Sequence, residues 1–106
     1  MINYEQFTQT DLRVATILSA ERVEGSEKLL RLRVSLGEEE RQIIAGIGKK
    51  YVPEELIGKQ IIIVANLEPR MLMGLESQGM LLAADSPDGP IILTPQQETP
   101  SGTKIK

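Results

Sequence analysis

Leu30-Arg31-Leu32-Arg33-Val34-Ser35-Leu36 alternates apolar and polar residues without a break. A period of two is the pattern of a strand that buries one face and wets the other, and here the wet face is basic. Downstream, Gly37-Glu38-Glu39 is a hairpin signal and Arg41 to Ile47 returns as a third strand. Upstream, Gly25-Ser26-Glu27 makes a turn after Leu12 to Val23, a segment rich in β-branched and small apolar residues. Its apolar phase shifts between Val14 and Ile17, which predicts a bulge or sharp bend within the first strand. The first three strands therefore read as a meander.

Pro53-Glu54-Glu55-Leu56 puts proline and acidic residues where the first turn of a helix prefers them, and Gly58 ends the helix shortly after. Ile61 to Ala65 is a continuous apolar run of strand length, the mark of a central strand. Asn66 to Gly79 reads as a long loop, and Met80 to Ala84 as a short strand. Pro87-Asp88-Gly89-Pro90 turns the chain, Ile91 to Leu93 adds a last strand, and a polar tail follows from Pro95. Tyr4 and Phe7, one helical turn apart, predict a short N-terminal turn that packs its rings on the domain. Strand, strand, strand, short helix, strand, strand is the order of an all-β, five-stranded OB barrel, whose ligand face centres on strands two and three. Other small barrels share most of that order.

The chain of 106 residues is 41% hydrophobic and 25% charged, the balance of one globular domain spanning residues 1–106. With neither cysteine nor histidine there is no thiolate, no disulfide and no imidazole. No metal or cofactor is expected. No spacing singles out a carboxylate dyad, and Gly46-Ile47-Gly48-Lys49 lacks the glycine spacing and the hydroxyl of a phosphate loop. The chain itself is thus expected to carry no catalytic site. No window is apolar enough to span a membrane, and MINYEQFTQT lacks the layout of a secretory signal, which predicts a cytoplasmic protein. A net charge of −3 and a pI near 5.0 count against nucleic-acid binding. Charge read locally tells otherwise: from Lys28 to Lys50 the basic residues Lys28, Arg31, Arg33, Arg41, Lys49 and Lys50 outnumber Glu38, Glu39 and Glu40.

Four segments bear on function: Asp11-Leu12-Arg13-Val14, Ser26-Glu27-Lys28-Leu29, Ile44-Ala45-Gly46-Ile47, and Asn66-Leu67-Glu68-Pro69-Arg70 running through Gly74 to Ser77-Gln78-Gly79-Met80-Leu81-Leu82-Ala83. In this order and spacing they resemble the tRNA-binding domain of methionyl-tRNA synthetases, found at the C-terminus of bacterial enzymes or as a separate subunit. The resemblance covers nearly the whole chain. It implies an OB barrel, tRNA binding with little sequence preference, a homodimer built through the terminal segments, and a synthetase catalytic domain in cis or in trans. It also implies that Lys28, Asn66, Arg70, Ser77 and Met80 belong to the RNA-binding surface.

The residues carry readings of their own. Lys28, Arg31 and Arg33 would line an outer strand face at steps of about 7 Å for alternate residues, near the phosphate spacing of nucleic acids, but charged strand faces also serve solubility. Asn66 either caps loop backbone or bonds a sugar or base, and Ser77 has the same two uses. Met80 fits a core or a face for unstacked bases. Family members often carry basic residues after Pro-Arg, where this chain has Met71 and Met73. With Tyr4, Phe7 and Tyr51 as the only rings, binding should rely on phosphate and shape more than on stacking. Two other functions fit such a barrel. One is an export chaperone that binds unfolded peptides, a related OB family that typically lacks Asn-Leu-x-Pro and Ser-x-Gly-Met. The other is a dimerisation scaffold with a weakened RNA face.

Overall fold

The computed structural model describes residues 1–106. The chain runs α1 (Tyr4–Thr8), β1 (Leu12–Arg22), β2 (Leu30–Ser35), β3 (Glu40–Ala45), α2 (Pro53–Leu56), β4 (Gln60–Val64), β5 (Arg70–Leu72), β6 (Leu75–Ser77), β7 (Met80–Leu81), β8 (Ala83–Ser86), β9 (Gly89–Ile92) and β10 (Lys104–Ile105). The main sheet has the order β3-β2-β1-β4-β7, and β10 pairs with β1. All ladders are antiparallel. This is the expected all-β OB-like barrel, nearly closed, with its short helix between the third and fourth strands. No helix is long and apolar enough to cross a membrane.

Strand β2 behaves as its alternation predicts: Leu30, Leu32 and Val34 are buried and Arg31 and Arg33 exposed. Those three side chains join Ala15, Ile17, Ile43, Ile61 and Ile63 in one core. The phase shift in β1 is a bulge. Ile17 pairs with Val34 and Ser19 with Arg33, leaving Leu18 as the unpaired extra residue with an exposed side chain. The bulge lets one long strand serve two neighbours, β4 along Leu12–Thr16 and β2 along Thr16–Arg22. Past the end of β2, β10 takes up the same edge of β1 through Leu12 and Arg13. The tail that brings it there is tied down by Gln60, which donates to the Thr99 carbonyl at 2.6 Å, and by the Thr16–Ser101 hydroxyl pair at 2.7 Å.

The expected long loop from Asn66 to Gly79 contains a further hairpin, β5–β6. Its two-residue turn has φ of 51° at Met73 and 78° at Gly74, both left-handed as a type I′ turn requires. Glycine meets that demand freely and methionine does not, so residues 73–74 lack the Asn-Gly signature that would have marked the hairpin. The segment read as one strand, Met80 to Ala84, is divided between β7 on the main sheet and β8 in a second hairpin with β9. α1 carries a capping box between Asn3 and Gln6; of its two rings Phe7 is half-buried, while Tyr4 is exposed instead of packing on the domain.

Candidate nucleic-acid interface

β3 pairs with β2 along one edge; along the other edge side chains stand in for a strand. The Ile44 amide donates to the Ser77 hydroxyl at 3.0 Å, and the Gln42 amide to the Gln78 side-chain oxygen at 2.9 Å. Gln42 in return accepts the Gln78 amide at its carbonyl, 2.7 Å away, and donates its side-chain amide to the Glu76 carbonyl at 2.8 Å. Arg41 spans the same seam, donating to the carbonyls of Ala65 and Gln78. β5–β6 is thereby fixed beside the barrel, and a cleft of about 420 Å³ opens between them, lined by Ile44, Leu67, Glu68, Arg70, Leu72, Ser77, Gly79 and Met80.

Three of the residues expected at an RNA surface, Arg70, Ser77 and Met80, thus meet in one cleft. Arg70 is exposed and in no ion pair, and the Met80 side chain is turned out to solvent. Ser77 is 4% exposed, with its oxygen accepting from Ile44 and its proton given to the Gly79 carbonyl. Asn66 lies at the outer end of β4, where it accepts the Asp11 amide at 2.8 Å and donates to the Gln9 carbonyl at 2.7 Å. It caps loop backbone. Lys28 stands apart on the turn between β1 and β2, exposed and unpaired, with its stem above Gly46.

Arg31 and Arg33 face outward, but each has a neighbouring carboxylate: Arg31 reaches Glu21 at 3.4 Å, and Arg33 reaches Glu40 at 3.0 Å. A polar depression at the other end of the seam holds Arg13 and Arg41, and these are matched by Asp11 and Glu39. The Asp11 hydrogen bond, then its charge, raises the Arg13 pKa above its already high ordinary value. No group capable of acid–base or nucleophilic chemistry stands in the cleft beyond Glu68 and the engaged Ser77 hydroxyl. Its means are apolar contact, one unpaired guanidinium and the Glu68 carboxylate. The seam contacts of Gln42, Gln78 and Arg41 were not legible in the sequence, where Arg41 counted only as a local positive charge; the available signal was that β3, as the last strand of a meander, needed a partner for its second edge.

A family model described as "Putative tRNA binding domain" matches residues 12–104. The chain belongs to the tRNA-binding domain family. Within that family it is 59% identical over 104 residues to the methionine–tRNA ligase of Caldanaerobacter subterraneus subsp. tengcongensis, covering 98% of this chain and 16% of the ligase. The tRNA-binding domain therefore spans about a sixth of that curated relative. Among solved structures, a MetRS-related protein from Pyrococcus horikoshii superposes with a TM-score of 0.94 at 36% identity, covering 100% of this chain and 98% of the other. The chaperone CsaA of Bacillus anthracis str. Ames gives 0.92 at 38% identity, covering 100% and 99%.

Proposed function

We propose that this tRNA-binding domain captures tRNA by its backbone and shape, with little regard to sequence, and delivers it to a methionyl-tRNA synthetase catalytic domain joined in cis or bound in trans. The observation that carries the reading is Arg70, an exposed guanidinium in no ion pair, in a cleft that it shares with Ile44, Leu67, Leu72 and Met80 and with one carboxylate, Glu68. A lone cation beside Leu67, Leu72 and Met80 suits a phosphate flanked by sugars or unstacked bases. Raising the local concentration of tRNA would speed capture, leaving the chemistry to the synthetase. The setting would be the cytoplasm.

The domain is proposed to work as a homodimer. α1 has no fully buried residue, Phe7 being only half-buried, while Met1, Ile2 and Tyr4 stand exposed, an apolar surface that a second copy would cover. Deleting residues 1–8 should then yield monomers by sedimentation.

The direct experiment is binding of fluorescent tRNA at two salt concentrations, with single-stranded RNA as a control. Several tRNAs should bind in a salt-sensitive manner, and Arg70→Glu should weaken them all alike. Absence of binding at low salt would defeat the reading. A second reading, an extended peptide in the same cleft, is favoured by the exposed apolar side chains Leu67 and Met80 that line it, with Met71 and Met73 exposed on the neighbouring β5–β6 hairpin. Competition between tRNA and an unfolded polypeptide separates the two.

A further inference from the structure

Of the six basic residues between positions 28 and 50, Arg31, Arg33 and Arg41 lie in ion pairs and three lysines do not. Lys28, Lys49 and Lys50 line a single groove of about 350 Å³ together with Gly46, Ile47, Asp88, Gly89 and Pro90. Resting on the capture reading above, we propose that this groove is a phosphate-binding track for the RNA backbone, in which Lys49 and Lys50 act with Lys28.

The groove is built by backbone contacts that place the lysines. The Gly48 amide donates to the Lys28 carbonyl at 2.7 Å, and a Cβ at position 48 would lie 2.9 Å from the carbonyl oxygens of Glu27 and Lys28. Only glycine lets the turn carrying Lys49 and Lys50 press so closely on the turn carrying Lys28. At Gly46 a Cβ would lie 2.9 Å from the Lys28 Cε, so the lysine stem lies across this glycine and could swing aside. Arg22 holds the assembly from below, donating to the Gly48 carbonyl at 2.8 Å. On the far wall the Lys50 ammonium reaches the Asp88 carbonyl at 3.4 Å.

The chemistry follows from the charges. Three ammonium groups face one carboxylate, that of Asp88, which is outside ion-pair range of all of them. Ammonium groups on flexible stems act as hydrated point charges and tolerate irregular phosphate positions, as a tRNA backbone presents them. Ile44 of the Arg70 cleft and Gly46 of the groove lie two residues apart at the end of β3. The proposed track takes the RNA backbone from Arg70 past the end of β3 to the three lysines. An acidic molecule thereby gains a local track of positive charge.

The test is the salt dependence of tRNA binding by the intact protein. Lys49→Gln/Lys50→Gln should lower the slope of log affinity against log salt by roughly 1.4 to 1.8, the release expected for two phosphate contacts at about 0.7 to 0.9 each. Affinity at about 0.1 M salt should fall tenfold or more. Lys49→Arg/Lys50→Arg should keep the wild-type slope, and Lys104→Gln/Lys106→Gln, removing two charges elsewhere, should keep it too. An unchanged slope in the glutamine variant, with wild-type protein binding normally, would overturn the track and leave the capture reading standing. An equal loss from Lys104→Gln/Lys106→Gln would overturn it in favour of net charge. Failure of wild-type protein to bind tRNA at low salt would overturn both readings.

Discussion

The hydroxyl of Ser77 accepts a hydrogen bond from the Ile44 amide at 3.0 Å across the seam where β3 lacks a strand partner, and donates one to the Gly79 carbonyl at the same distance. A side chain expected to meet RNA is thus used to close the barrel, and it shapes the neighbouring cleft from within.

Ser77→Ala should strand the buried Ile44 amide without an acceptor, a loss of about 1 to 3 kcal/mol. Urea denaturation would read it as a lower midpoint at constant slope. At low temperature, where the variant stays folded, tRNA affinity should change little. A variant as stable as wild type would mean that the seam does not depend on this hydroxyl.

Asn66→Ala should act on the joint that follows β4. Its amide joins the Asp11 nitrogen and the Gln9 carbonyl, so its removal frees the link between α1 and β1 at a cost of about 1 kcal/mol. Hydrogen exchange at the Asp11 amide should accelerate well beyond that in the rest of β1. Asn66→Asp, which keeps the acceptor and loses the donor, should fall between the two.

The contrast between these residues explains what could be read in advance. The alternation from Leu30 to Val34 and the apolar run from Ile61 to Val64 express burial, which a sequence states directly, and both gave their strands correctly. The bulge at Leu18 was legible as a slip of phase. Hairpin β5–β6 was not, because Met73 holds a left-handed φ that its side chain does not advertise. The roles of Arg31 and Arg33 turned on register. Arg31 stands across from Glu21 and Arg33 is matched to Glu40 only once β1, β2 and β3 are aligned, so a row of cations in sequence became a row of ion pairs.

The turn of β5–β6 gives a prediction of its own. Gly74 has open space where a Cβ would stand, so Gly74→Ala should cost only the left-handed conformation, roughly 1 to 2 kcal/mol. Met73→Asn should stabilise the turn, because asparagine accepts that conformation more readily. Opposite shifts in thermal midpoint check the pair; equal shifts would argue against a type I′ turn.

Ion pairing on β2 predicts an increase in RNA affinity from the loss of a single carboxylate. Arg33 is held by Glu40 at 3.0 Å, and both side chains are about half exposed. Such a pair contributes about 0 to 1 kcal/mol, so Glu40→Gln should leave the fold intact while freeing a guanidinium on the outer face of β2. If RNA crosses that face, Glu40→Gln should tighten tRNA binding and steepen its salt slope by about 0.7 to 0.9. Arg33→Gln alone should do little, since it removes a cation that is already neutralised, and Arg33→Gln in the Glu40→Gln background should return the slope to its starting value. Should Glu40→Gln leave both affinity and slope unaltered, the outer face of β2 lies off the RNA path, and the backbone is followed by Arg70 and the three lysines alone.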